Sequence, residues 1–132
     1  MSLFVELNNL MARYRFRPKK KLGQHFIINE LVLQKLIDAA ELEETDKVLE
    51  IGAGTGFLTK ELCKYCKVFA VEVDETLCEV LENELKDTNI EILCGDFLKI
   101  KLPDFNKVVS IPPYHISKKI MFKLLGFTPY SI

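Results

Sequence analysis

The stretch Val48–Thr59 constrains the fold more than any other part of the sequence; it reads Val-Leu-Glu-Ile-Gly-Ala-Gly-Thr-Gly-Phe-Leu-Thr. An apolar strand runs into a turn that contains Gly52, Gly54 and Gly56, and a helix follows. Glycine has no Cβ, so a ligand can lie against the backbone N–H groups of such a turn, at the positive end of the helix. The stretch therefore predicts a small-molecule pocket. A tight strand-to-helix turn without a ligand is the alternative.

The spacing of the glycines indicates which ligand the pocket takes. A dinucleotide-binding fingerprint has the pattern Gly-x-Gly-x-x-Gly, whereas here the third glycine comes one residue early and Phe57 stands in its place. This pattern disfavours a pyrophosphate. A second apolar strand, residues 68–72, ends in Glu72, which is placed to accept both ribose hydroxyls of a nucleoside. Ribose binding without a pyrophosphate is typical of S-adenosylmethionine, and we expect this cofactor.

The sequence alternates apolar strands with amphipathic helices, which predicts an α/β fold with a parallel sheet and right-handed crossovers. We expect strands at 47–51, 68–72, 90–94 and 107–111, with Asn29 and Asp74 as N-caps of intervening helices. In such sheets ligands bind outside the carboxyl ends of the strands. Gly52, Glu72 and Asp96 all follow or end a strand, so they should meet at one pocket.

Composition sets limits on the class of protein. A chain of 132 residues with 48% hydrophobic and 28% charged residues is typical of one globular domain. No apolar run approaches the ~20 residues of a membrane span, so we expect a cytoplasmic protein without a membrane partner. The cysteines at 63, 66, 78 and 94 lack a second Cys-x-x-Cys or a histidine pair, so we expect reduced core thiols and no metal.

The amino-terminal part of the chain concentrates positive charge. Residues 13–21 carry six basic side chains with Tyr14 and Phe16 between them, although the net charge of the whole chain is −1. Cations neutralise phosphates and rings offer stacking surfaces, so this arm is predicted to bind RNA, with a solvated flexible tail as the alternative. We therefore divide the chain into a basic arm, 1–29, and a cofactor-binding domain, 30–132. The basic residues are Arg13, Arg15, Arg17, Lys19, Lys20 and Lys21.

Five segments, in this order and spacing, resemble the KsgA-type ribosomal RNA adenine dimethyltransferases. That family uses S-adenosylmethionine to place two methyl groups on the N6 atoms of adjacent adenosines in small-subunit RNA. The resemblance covers about residues 13–125, and its Leu-Gly-Gln-x-Phe element is more specific than the glycine turn. The segments are Lys21–Phe26, Glu50–Gly56, Glu72–Asp74, Gly95–Asp96 and Pro113–Ser117.

The resemblance implies a Rossmann-like methyltransferase fold and assigns site residues. It places His25 and Ile27 at amino-terminal cofactor contacts, and Gly52, with Gly54 in the same turn, under the methionine part of the ligand. Glu72 would hold the ribose. The remaining assignment is Asp96, which would accept a hydrogen bond from the adenine amino group.

The catalytic motif departs from the family pattern Asn-(Leu/Ile)-Pro-Tyr. The resemblance implies that Tyr114 stacks on the flipped adenine and that the carbonyls of Pro112 and Pro113 accept hydrogen bonds from its N6 amine. Ile111 occupies the Asn position and offers no side-chain acceptor. Ser110 is the nearest polar side chain, but it is one residue out of register. We therefore expect impaired catalysis.

Length is the second departure, since the family's catalytic sheet has seven strands and a helical domain follows it. The four strands seen here, in the expected order 3-2-1-4, would leave the fourth strand as an open edge. A fragment, a truncated reading frame and a remnant that self-associates through this edge all fit. The sequence thus favours a methyltransferase acting on small-subunit ribosomal RNA or a pre-ribosomal particle. A non-catalytic cofactor- and RNA-binding module and a small-molecule methyltransferase are the alternatives.

Overall fold

The structure is a computed structural model that describes residues 2–19, 29–110 and Lys123. Strands and helices alternate from β1 to β3, as the apolar pattern predicts, whereas the described residues 95–106 between β3 and β4 contain no helix. None of the helices in these ranges is long and apolar enough to cross a membrane. The helices are α1 (Leu3–Tyr14), α2 (Glu30–Ala40), α3 (Phe57–Leu62) and α4 (Glu75–Glu84), and the strands are β1 (Lys47–Ile51), β2 (Lys67–Glu72), β3 (Ile90–Cys94) and β4 (Lys107–Val108).

The four strands form one parallel sheet in the order β3-β2-β1-β4, which confirms the predicted order. The central strand β1 is apolar and buried, with Val48 and Leu49 both at 0% exposure. Strands covered on both faces read as continuous apolar runs, which is why β1 and β2 stand out in the sequence. β4 is shorter than predicted: it ends at Val108, although the Val109 N–H still donates to the Leu49 carbonyl at 3.0 Å.

Two side chains fix the starts of α2 and α4, as predicted. The Asn29 Oδ1 atom accepts from the N–H groups of Leu31 and Val32. The Asp74 Oδ1 atom does the same at the start of α4, at 2.8 Å from the Thr76 nitrogen. Each cap satisfies N–H groups that have no partner within the helix, so each helix begins where its cap stands.

Helix α1 and Phe16, the residue after its C-cap, are part of the core. Leu3, Leu7, Leu10 and Phe16 are buried in one cluster with residues of the sheet and of α2 and α3. The alternative of a solvated flexible tail is therefore wrong for the arm as far as Phe16, whose side chain packs against the rest of the fold. The buried Phe16 ring is also not a stacking surface for a base, contrary to the interpretation of the arm.

The expectation of four reduced cysteines is wrong for two of them. Cys78 on α4 and Cys94 at the end of β3 form a disulfide, with Cα atoms 6.0 Å apart. Glu72 is the register partner of Cys94, so the disulfide lies beside the end of β2. Cys63 and Cys66 are free thiols, and burial raises the pKa of each.

Candidate functional site

Glu72, at the end of β2, is the centre of the candidate site. Its Oε1 atom accepts from the Gly54 N–H at 2.8 Å and its Oε2 atom accepts from the Asp74 N–H at 3.0 Å. The side chain is buried, and burial raises its pKa, with the charge of Asp74 adding to the shift and the two N–H bonds opposing it. A carboxylate offers about four lone-pair positions, so these two bonds leave capacity for hydroxyl donors.

The N–H groups of the glycine turn already have partners inside the protein. The prediction that a ligand would lie against bare N–H groups is therefore wrong for these residues. The turn still offers a surface without Cβ atoms, and Gly52 is exposed. The donors are Gly52 and Ala53 to the Val71 carbonyl at 2.8 and 3.1 Å, Gly54 to Glu72, and Gly56 to the Ala53 carbonyl at 3.1 Å.

Gly56 serves packing rather than ligand approach. Its φ angle is 86°, in the left-handed region that side chains rarely adopt. A Cβ there would lie 2.9 Å from the Leu81 Cδ2 atom and 3.0 Å from the Leu85 Cδ1 atom. The third glycine thus lets the end of α4 pack against the turn.

The turn that follows β3 lies at the same site. The Gly95 N–H donates to the Glu72 carbonyl at 2.8 Å, which fixes the turn after β3 beside β2. Asp96 follows, half-buried, and its Oδ1 atom accepts from the Leu98 N–H at 2.9 Å. Lys123 donates to the carbonyls of Phe97 and Ile100 in the same turn. The structure therefore brings Gly52, Gly54, Glu72 and Asp96 to one edge of the sheet, as predicted.

Glu50 lies beneath the glycine turn and was not singled out from the sequence. Its side chain is buried, and the hydroxyl of the equally buried Thr59 donates to its Oε1 atom. Burial raises the pKa of Glu50 to about 8, and the charge of Glu72 contributes in the same direction. Glu50 therefore holds a proton at neutral pH. An acidic residue within the apolar run of β1 is the signal that would have identified it.

Of the four basic arm residues that the structure describes, Arg13 and Lys19 have acidic partners. Arg13 pairs with Glu84 of α4 at 3.1 Å, and the Tyr14 hydroxyl donates to the same carboxylate at 2.7 Å. Lys19 pairs with Asp74 at 2.9 Å. Arg15 and Arg17 are exposed, and Lys20 and Lys21 lie outside the described residues.

The remaining predicted site residues, His25, Ile27, Ile111, Pro112, Pro113 and Tyr114, lie outside the described residues. Ser110, the nearest polar side chain to the Asn position of the catalytic motif, is described. Its hydroxyl donates to the Ile51 carbonyl at 2.6 Å, so its proton is bound to the end of β1.

A parallel sheet in this order, with a glycine turn after β1 and a buried acid at the end of β2, defines the Rossmann-like fold of S-adenosylmethionine-dependent methyltransferases. Within that class a narrower assignment is possible. Residues 15–131 match the family described as "Ribosomal RNA adenine dimethylase", and the chain belongs to this family.

Individual relatives support the assignment. The chain is 49% identical over 117 residues to a protein of Pyrococcus abyssi named "Probable ribosomal RNA small subunit methyltransferase A", covering 88% of this chain and 44% of that one. A solved dimethyladenosine transferase from Plasmodium falciparum superposes with a TM-score of 0.74 at 34% identity, covering 80% and 40% of the two chains.

A more distant structure shares the fold alone. An RNA methyltransferase from Salinibacter ruber, solved in complex with S-adenosyl-L-homocysteine, has a TM-score of 0.70 at 17% identity and covers 76% of this chain and 70% of its own. The chain spans less than half the length of the curated relatives it matches.

Proposed function

We propose that this chain binds S-adenosylmethionine at the carboxyl ends of β1, β2 and β3 and takes part in N6,N6-dimethylation of adenosines in small-subunit ribosomal RNA. The observation that carries the proposal is the Glu72 carboxylate, held by two backbone N–H groups at the edge of the sheet with lone pairs left for the ribose hydroxyls. The exposed Gly52 would lie under the methionine part, with Gly54 in the same turn. Asp96 would accept from the adenine amino group, and His25 and Ile27 would complete the cofactor contacts.

The chemical demand of the reaction explains the assigned catalytic residues. The lone pair of adenine N6 is delocalised into the ring, so the amine is a poor nucleophile until hydrogen-bond acceptors help it become pyramidal. The carbonyls of Pro112 and Pro113 would be those acceptors, and the Tyr114 ring would stack on the flipped base. Ile111 supplies no amide at the family's Asn position, so methyl transfer by this chain should be slow.

The exposed arginines of the arm are the best candidates for contact with ribosomal RNA. Arg13 and Lys19 already have carboxylate partners, so an RNA phosphate would have to compete with Glu84 and Asp74 for them. Arg15 and Arg17 are exposed, and Lys20 and Lys21 complete the set by sequence. A pre-ribosomal particle offers the same phosphate backbone as free RNA.

A non-catalytic module that binds cofactor and RNA is the second candidate, and Ile111 is the observation that favours it. The edge of the sheet at β4 supports a related proposal, self-association, because β4 is at the end of the strand order among the described residues and Val108 is 39% exposed. Unpaired strand edges are templates for pairing with another chain.

Cofactor binding is tested by calorimetric titration of the Glu72→Ala variant with S-adenosylmethionine. Loss of hydrogen bonds to a charged acceptor costs about 1.5 to 3 kcal/mol, so the affinity should fall roughly 10- to 150-fold. Glu75→Ala, which removes an exposed carboxylate three residues along the chain, is the matched control and should bind like the parent. Equal affinity of Glu72→Ala and the parent would show that the pocket is misassigned.

Catalysis is tested by transfer of labelled methyl groups from the cofactor to small-subunit RNA. A lost transition-state hydrogen bond typically costs a hundred- to thousandfold in rate, so Ile111→Asn should methylate faster than the parent by up to that factor. A parent rate of about 1 per second or more, typical of enzymes, would show that Ile111 does not impair the chain. Cofactor and RNA binding without any transfer in either variant would favour the non-catalytic module.

A further inference from the structure

Three hydrogen-bonded groups connect the amino-terminal arm to the centre of the site. The Lys19 Nζ atom lies 2.9 Å from the Asp74 Oδ2 atom. The Asp74 N–H donates to the Glu72 Oε2 atom, and the Glu72 Oε1 atom accepts from Gly54. Asp74 thus contacts both Lys19 and Glu72, the residue proposed to hold the ribose.

Asp74 is a poor neighbour for an ionised Glu72 unless its own charge is balanced. The Asp74 side chain is 3% exposed, so water screens its charge only weakly. Its Oδ1 atom is already used as the cap of α4, and the ammonium of Lys19 approaches the other oxygen. The positive charge of Lys19 therefore opposes the effect of the negative charge of Asp74 on Glu72.

Ionisation of Glu72 matters because only the charged carboxylate is an acceptor at both oxygens. A protonated Glu72 would carry its proton at one of the oxygen positions that are needed to accept hydrogen bonds from the two ribose hydroxyls. Burial and the charge of Asp74 both raise the pKa of Glu72. The site therefore works at neutral pH only if that rise is limited.

We propose that Lys19 is a positioning residue for the cofactor rather than a contact for RNA phosphate: its ion pair with Asp74 keeps Glu72 ionised for ribose binding. This inference rests on the proposed function, specifically on Glu72 as the ribose acceptor. It removes Lys19 from the phosphate-binding set, in which Arg15 and Arg17 remain as exposed members.

The groups that face Glu72 define the pH range of a test. Asp74 and Lys19 face it from the loop before α4 and from the arm, and Glu50 faces it from β1. Glu50, whose pKa burial raises to about 8, stays mostly protonated below about pH 7. Burial and the charge of Asp74 raise the pKa of Glu72, so the test follows the change of charge of Glu72 as the pH falls.

The experiment is calorimetric titration of the full chain with S-adenosylmethionine from pH 5 to 7.5. For the parent, affinity should fall as the pH falls through the pKa of Glu72. Lys19→Met should move the midpoint of this loss upward by about one pH unit or more, the scale set by one neighbouring charge. Lys19→Arg should restore the parent midpoint. Lys35→Met, which removes an exposed charge from α2, is the matched control.

The outcomes separate this inference from the function on which it rests. A uniform loss of affinity at every pH in Lys19→Met, or an unchanged midpoint, would overturn the inference, since either result means a merely structural contact. Glu72→Gln, which cannot ionise, should flatten the pH profile. Unchanged binding and an unchanged profile in Glu72→Gln would instead remove the ribose assignment itself. A circular dichroism spectrum of each variant checks that it is folded.

Discussion

Replacement of Glu50 by Gln should remove a loss of stability with rising pH, because Glu50 is a buried carboxylic acid. In the unfolded chain it ionises at its ordinary pKa of 4.5, whereas in the folded protein burial raises that pKa to about 8. Between these values the folded state holds one proton more than the unfolded state. The free energy of unfolding therefore falls as the pH rises from 4.5 to 8.

The size of the effect follows from the shift in pKa. Each pKa unit corresponds to about 1.36 kcal/mol, so the rise in the pKa of Glu50 from 4.5 to about 8 gives a loss of roughly 5 kcal/mol across the range. That is comparable with the whole stability of a small domain. Gln cannot ionise, and its amide oxygen can still accept from the Thr59 hydroxyl. Its new N–H donors lack an assigned partner, which should cost about 1 kcal/mol at low pH.

Urea denaturation followed by circular dichroism at pH 5, 6, 7, 8 and 9 tests this expectation. Glu50→Gln should be slightly less stable than the parent at pH 5 and several kcal/mol more stable at pH 9, so the two curves should cross. Glu79→Gln removes an exposed carboxylate of α4 and should follow the parent throughout. Parallel curves for Glu50→Gln and the parent would refute the assignment of a protonated Glu50.

Two further predictions concern packing and covalent structure. Gly56→Ala should lower the free energy of unfolding by about 1 to 3 kcal/mol, because the new Cβ would contact Leu81 and Leu85 and the residue would keep a left-handed φ. Urea denaturation at pH 6 measures this change. Unchanged stability would mean that α4 can move away from the turn. Thiol titration of the denatured chain without reductant should find two of the four cysteines, and reduction of Cys78–Cys94 should cost about 3 kcal/mol, given a sequence separation of 16. Four titratable thiols would contradict the disulfide.

Elements whose signals are local could be predicted from the sequence. The start of α2 follows from the cap at Asn29, and the structure reproduces it. The same holds for β3, an apolar run of five residues that a glycine ends. Convergence of Gly52, Glu72 and Asp96 could also be predicted, because the carboxyl ends of parallel strands share one edge.

Contacts between distant positions could not be predicted, because they depend on register and on helix placement. The pair of Cys78 and Cys94 exists because Cys94 is opposite Glu72 in the sheet and α4 packs beside that strand end. Nothing in the spacing of the four cysteines distinguishes that pair. The ion pair of Lys19 with Asp74, 55 positions away, could not be predicted either, because Lys19 belongs to a run of basic residues that the sequence does not distinguish from one another. The use of the glycine-turn N–H groups inside the protein also depends on register, since Val71 and Glu72 must lie beside the turn.

Helix α1 packs against parts of the chain that are synthesised much later. Arg13 and its partner Glu84 are 71 residues apart, and the buried stripe of Leu3, Leu7 and Leu10 packs against sheet and helix residues far along the chain. At about 5 to 20 residues per second, roughly 4 to 14 seconds separate synthesis of the two ends of that contact. The contact between Arg13 and Glu84 therefore cannot form until α4 has been synthesised. During that interval Leu3, Leu7 and Leu10 lack part of the apolar surface that buries them in the folded protein.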